Sequence, residues 1–152
     1  KLTNHLNIRK LLDNIILFWS GKSRLSEDIS KSYNKLDLSN IVYVKNKVNE
    51  FEKILNKKRL NIKSVGSFFN SVWSKKQKLS KKVSNKDISK IHDYFNKLGS
   101  FGGKLSGAGG GGFYISILPK KFHKKLPKKY EKFIVKPKYC DHGSEIITKM
   151  YE

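Results

Sequence analysis

The sequence predicts an α+β domain: an antiparallel sheet of about four strands packed against helices. Three observations carry this. Short, strongly apolar runs lie near both ends of the chain, at 14–20, 113–118, 133–135 and 145–148. Between the first two, apolar residues recur at helical spacing over about sixty residues. Strands gathered at the ends with helices between them give an antiparallel sheet covered on one face, rather than an alternating parallel α/β fold.

The elements follow in order. Residues 14–20 are apolar with little alternation and predict a buried strand that Gly21 ends. Ser23 or Ser26 is placed to cap a following helix, with Glu27 and Asp28 in its first turn. A helix is expected over 38–55, capped by Asp37 or Ser39, with Leu38, Ile41, Val42, Val48, Phe51, Ile54 and Leu55 as its apolar stripe. After a polar turn at 56–61, another is expected over 62–83, with Ile62, Val65, Phe68, Phe69, Val72, Trp73 and Leu79 on one side. Ser84-Asn85 breaks it, and a further helix runs to Leu98 with Gly99 as its terminator. A strand at 113–118 precedes Pro119 and a very basic segment to Pro127, where any helix must be short. Phe133-Ile134-Val135 and Glu145-Ile146-Ile147-Thr148 complete the strands, with Gly143 in the turn between them.

Composition bounds the function. At 152 residues, 38% hydrophobic and 12% aromatic, the chain is long enough for one domain with a true core. No stretch approaches the length needed to span a bilayer, and no signal-peptide pattern opens the chain. It starts at Lys1 rather than Met and is expected to be a fragment or a processed form. A single cysteine, Cys140, excludes an internal disulfide and any cysteine-rich metal site, and a reducing cytoplasm is the simplest compartment. The four histidines show no metal-ligand spacing, and structural roles are expected for them.

The net charge is +21. Such a charge suits a polyanion partner, which keeps a basic nucleic-acid-binding module open as an alternative. The cations, however, are 30 Lys against 3 Arg, scattered over every element. Nucleic-acid surfaces favour arginine for bidentate contacts, so a solvated basic surface is the favoured reading and nucleic acid is not the expected partner.

The richest local signal is the run Gly102-Gly103-Lys104-Leu105-Ser106-Gly107-Ala108-Gly109-Gly110-Gly111-Gly112-Phe113. Glycine this dense permits left-handed backbone at several points and lets consecutive amides converge on one anion. The run follows a helix and precedes a strand, the reverse of a dinucleotide-binding loop, and it lacks the P-loop spacing. A flexible link would tolerate Ser, Asn or Asp where this one has Gly109 to Gly112. A rigid turn pressed against phosphate is the reading that the residues favour. Lys104 and Ser106 flank it, and Lys104 is placed to supply a cation for a transferring phosphate. Ser23 and Arg24 sit where a strand gives way to a helix, and amides with a guanidinium suit a phosphate or carboxylate there.

These residues resemble a known family. The form K-L-x-G-A-G-G-G-G-F is similar to the third conserved motif of the GHMP kinases. Two other stretches resemble the branch that includes D-glycero-D-manno-heptose 7-phosphate kinase: the strand 15–20 followed by Gly21-Lys22-Ser23-Arg24, and Trp73-Ser74-Lys75-Lys76-Gln77-Lys78-Leu79-Ser80. The three stand in the branch's order and cover nearly the whole chain. The resemblance implies that residues 1–152 form the C-terminal domain of an ATP- and Mg²⁺-dependent kinase acting on a sugar or sugar phosphate, with an N-terminal GHMP kinase domain as partner. It implies that Lys104, Ser106, Gly107, Ala108, Gly109, Gly110, Gly111 and Gly112 line the ATP phosphate site, and it makes Ser23 and Arg24 candidates for the substrate's own phosphate. Nothing resembles the upstream P-x-x-x-G-L-G-S-S-A motif, so no catalytic acid or base is assigned within the chain. A non-catalytic ligand-binding or regulatory relative of the kinase stays open as an alternative.

Overall fold

The computed structural model describes residues 5–23, 29, 31–32 and 38–140. Arg24, the expected helix after Ser23 and the expected strand 145–148 lie outside the described residues. The elements are α1 (His5–Leu12), β1 (Ile15–Trp19), α2 (Leu38–Leu55), α3 (Ile62–Gln77), α4 (Lys86–Leu98), β2 (Gly103–Leu105), β3 (Phe113–Ile117) and β4 (Ile134–Val135). Two 3-10 helices, Lys120–Lys125 and Lys128–Phe133, lie between β3 and β4, the short helices that Pro119 and Pro127 allow. The four strands form one sheet in the order β2-β3-β1-β4, and every neighbouring pair is antiparallel. The α+β class therefore holds.

Helices cover both faces of this sheet, not one. Strand residues alternate between faces, and Ile15 pairs with Ile117 while Ile16 pairs with Ser116. Ile15 and Ile117 pack with Leu11 of α1, Leu55 of α2 and Val65, Phe68, Phe69 and Val72 of α3. Ile16 and Tyr114 face the other way, against Ile88 and Phe95 of α4, with Phe18 beside them. Phe95 stacks on Tyr114 with ring centroids 5.8 Å apart. Tyr114 is fully buried, and its hydroxyl lies 2.6 Å from Nδ1 of His92 on α4.

Four local differences have physical causes. The helix expected over 62–83 stops at Gln77, where the ladder tightens to Lys78 N donating to Lys75 O at 3.1 Å and Leu79 N to Lys76 O at 3.0 Å, and beyond it Ser80 Oγ accepts the Lys82 amide in a side-chain turn that competes with a helix. Val42 and Val48 of α2 are exposed, and the buried stripe is carried by Val44, Phe51, Ile54 and Leu55. The segment α1 has a weak pattern of its own. It is fixed by buried Asn7, whose amide donates to Leu55 O at 2.8 Å and Lys57 O at 2.6 Å and whose oxygen accepts from Leu60 N at 3.1 Å. The strand β2 falls inside the glycine run and is ordered by its pairing to β3, Gly103 with Ser116 and Leu105 with Tyr114.

Contact between α3 and β2 is very close. A Cβ at Gly66 would lie 2.5 Å from the Phe101 backbone, so only glycine fits on the helix there. Asn70, one turn on, accepts the Gly103 amide through Oδ1 at 2.9 Å. On the other side of the sheet, Asn85 caps α4 by accepting from Asp87 N and Ile88 N, both at 3.1 Å. Gly99 ends that helix in the left-handed region at φ +99°, as its position predicts.

Candidate functional site

The segment 106–112 closes the hairpin between β2 and β3, with Ser106 N donating to Phe113 O at 2.8 Å as its last rung. Three separate parts of the chain then hold the loop. Gly110 N donates to Val83 O at 2.8 Å and Asn85 Nδ2 donates to Gly110 O at 3.2 Å. Gly112 N donates to Lys22 O at 2.8 Å and Gly112 O accepts from Ser20 N at 3.0 Å. From the end of α3, Lys76 Nζ donates to Gly107 O. At Gly109 the backbone adopts φ +127°, and a Cβ there would lie 2.9 Å from Val83 Cα and from Val83 O. Both the conformation and the clearance demand glycine. The loop is a braced turn, not a slack connection.

The bracing decides which amides are free for a ligand. Those of Gly110 and Gly112 are used within the protein. Among the described residues, no acceptor lies against the amides of Gly107, Gly109 or Gly111. A cavity of about 220 Å³ opens along the loop, lined by Ser106, Gly107, Ala108, Gly109, Gly111, Gly112, Trp19, Phe113 and Ser23. Ser23 thus meets the loop that lies more than eighty residues away in sequence. Free amides and two serines suit an anion. Phosphate oxygens fit this donor set. Magnesium takes oxygen ligands, mostly carboxylate and phosphate, and no carboxylate lines this cavity, so the described residues offer the ion no carboxylate seat here.

Lys104 does not line the cavity. Its Nζ lies 3.4 Å from Leu105 O and 5.8 Å from the centroid of the Phe69 ring, and burial pulls its ammonium below the ordinary lysine range. Sequence reasoning assigned no role to Lys76. Burial pushes its ammonium down to about 8, and the charge of Lys104 adds to the effect. A signal was present: Lys76 stands three residues after buried Trp73, hence on the same side of α3, and it is the lysine of the W-x-x-K-x-x-L-S stretch.

The described histidines have partners in the fold: His5 Nδ1 lies 2.6 Å from the Tyr139 hydroxyl, His92 contacts Tyr114, and His123 Nε2 donates to Leu118 O at 2.9 Å. His142 lies outside the described residues. Among the described residues, no group of three or more His, Cys, Asp or Glu is placed to hold a metal ion. No described helix is long and apolar enough to cross a membrane.

Comparisons with known proteins agree with this geometry at the level of fold. A search of curated protein sequences returned no match. Solved structures do match: L. major mevalonate kinase in complex with R-mevalonate, at 18% identity and TM-score 0.59 over 80% of this chain; a second mevalonate kinase, at 23% and 0.61 over 83%; and the Methanococcus jannaschii mevalonate kinase, at 23% and 0.58 over 83%. This chain spans about 40% of the length of each. The family model described as "GHMP kinases C terminal" matches residues 45–132, a stretch that contains α3, α4, β2, β3 and the whole glycine loop. On that match over more than half its length, the chain belongs to the GHMP kinases and carries their C-terminal domain.

Proposed function

We propose that this chain is the C-terminal part of an ATP-dependent small-molecule kinase and that its glycine loop forms one wall of the phosphoryl-transfer site. The observation that carries the reading is the cavity lined by Ser106, Ser23 and by Gly107, Gly109 and Gly111, whose amides have no acceptor among the described residues. Phosphoryl transfer asks a protein mainly for positioning and charge stabilisation. The described residues offer donors for that positioning, and no general base is assigned among them. ATP and Mg²⁺ are held chiefly by the N-terminal GHMP kinase domain, the expected partner, and Ser23 is the described residue of the Ser23-Arg24 pair that borders the cavity, as a contact for the acceptor's phosphate.

For the acceptor, the motifs at 15–24 and 73–80 favour a sugar phosphate of the heptose 7-phosphate type, leading to a sugar 1-phosphate. A second reading is a mevalonate-like hydroxy acid, favoured by the mevalonate kinases among the solved structures of similar fold. ADP release by this domain joined to an upstream GHMP half separates the two, with heptose 7-phosphate, free hexoses, mevalonate and homoserine as acceptors. Turnover on the heptose phosphate alone supports the first, and on mevalonate alone the second. Turnover on none of them, with tight salt-sensitive binding to RNA, would overturn both. The isolated 152 residues are expected to release no ADP with any of these acceptors, because nothing in them resembles the upstream motif that wraps the ATP phosphates.

A further inference from the structure

We propose that Lys76 and Lys104 together seat one phosphate group over Ser106, as a two-lysine clamp at the rim of the glycine loop. Lys76 leaves the last turn of α3 and Lys104 leaves the middle of β2. Their ammonium groups come to rest on backbone carbonyls two residues apart. Lys104 Nζ lies 3.4 Å from Leu105 O, and Lys76 Nζ donates to Gly107 O. Ser106, the residue between those carbonyls, borders the cavity. An ammonium has three donors, so each lysine keeps N–H groups for another acceptor.

Both side chains are half-buried, and among the described residues neither pairs with a carboxylate. Two cations brought together and partly desolvated repel each other. Burial, and after it the charge of Lys104, lowers the Lys76 ammonium. Most of the described lysines are exposed, and these two are half-buried. Two half-buried cations held on carbonyls either side of one serine make a candidate seat for an anion. A phosphate fits best: it carries close to two negative charges and three strong acceptor oxygens, enough for two ammonium groups and a hydroxyl. The Gly107 amide adds a neutral donor beside them.

The clamp rests on the kinase reading only for the source of its phosphate, which is either the end of the nucleotide or a phosphate already on the acceptor. Its test needs no turnover. Inorganic pyrophosphate is titrated calorimetrically into the chain at fixed ionic strength. K76M and K104M should each weaken binding by about tenfold or more, the loss of one charged hydrogen bond. K76R should restore most of it. K78M removes an exposed charge from the same end of α3 and should change affinity by less than about twofold. Should K76M or K104M fail to fold, the Lys Nζ resonances of the unaltered protein give the same answer, with pyrophosphate moving those of Lys76 and Lys104 before the others. Displacement of pyrophosphate by AMP-PNP assigns the nucleotide, and displacement by glycerol 3-phosphate assigns an acceptor's phosphate. No binding by the unaltered chain, equal losses in K78M and K76M, shifts spread evenly over the lysines, or displacement by neither compound would overturn the clamp. Intact pyrophosphate binding in a joined protein that releases no ADP would count against the kinase reading alone.

Discussion

Single residues at the loop carry measurable costs. Lys76 has its ammonium lowered to about 8 in the fold and regains the ordinary 10.5 when unfolded. Between those values the unfolded chain binds the extra proton, so stability rises with pH across that window. Lys104, the charged group that faces it, is lowered too and adds the same sign. The urea midpoint should therefore climb from about pH 8 to about pH 10, above which Tyr114 and Tyr94, whose phenols burial raises, act with the opposite sign, and K76M should flatten much of that rise. A midpoint that falls steadily through the window would contradict the burial of both ammonium groups. At Gly109, a valine meets both a left-handed backbone and the Val83 main chain at 2.9 Å. G109V should destabilise by about 2–3 kcal/mol in chemical denaturation, against about 0.5 or less for K78A on the surface. The need for glycine near position 109 is legible in the sequence, because so dense a run has few other causes. The burial of Lys76 is not: thirty lysines give no contrast, and only the meeting of α3 with the loop singles one out.

Among the elements, legibility followed self-sufficiency. The helix α4 has its own cap, its own apolar face and its own glycine stop, and its extent matches expectation from Asn85 to Gly99. The strands β1 and β3 are apolar enough to be recognised alone. By contrast α1 and β2 exist through partners distant in sequence, Asn7 on the α2–α3 turn and Gly103–Leu105 on β3. Local pattern holds no trace of such contacts. The second covered face of the sheet was missed for the same reason: alternation of apolar residues tells which side of a helix is buried, not which side of the sheet receives it. Asn85 joins two elements at once, since its oxygen caps α4 while its nitrogen holds Gly110 O. N85A should cost about 1–2 kcal/mol. Hydrogen exchange should accelerate together at the first turn of α4 and at the Gly110 amide. Acceleration at the helix alone would mean that the tether to the loop carries nothing.

For the molecule as a whole, a net charge of +21 opposes compaction. Three ion pairs are found among the described residues, Lys22 with Asp87, Lys47 with Glu50 and Lys120 with Asp13, and all involve exposed or partly exposed groups. Exposed pairs contribute little, so screening of repulsion should dominate the response to salt. Raising NaCl from about 0.05 to 0.5 M should lift Tm by several degrees, and a flat or falling Tm would show that the pairs outweigh the repulsion. The same charge bears on self-association, and here one hydrogen bond acts at a larger scale. The strand β2 is an outer strand of the sheet, and the Gly103 amide on its open side is already taken by Asn70 of α3. An unpaired strand margin is a template on which further copies of a chain can stack. The helix that sits too close to admit a Cβ at Gly66 therefore also seals that margin. At this edge of the sheet, an asparagine on a helix guards against pairing with further copies, as the charge does for the molecule at large.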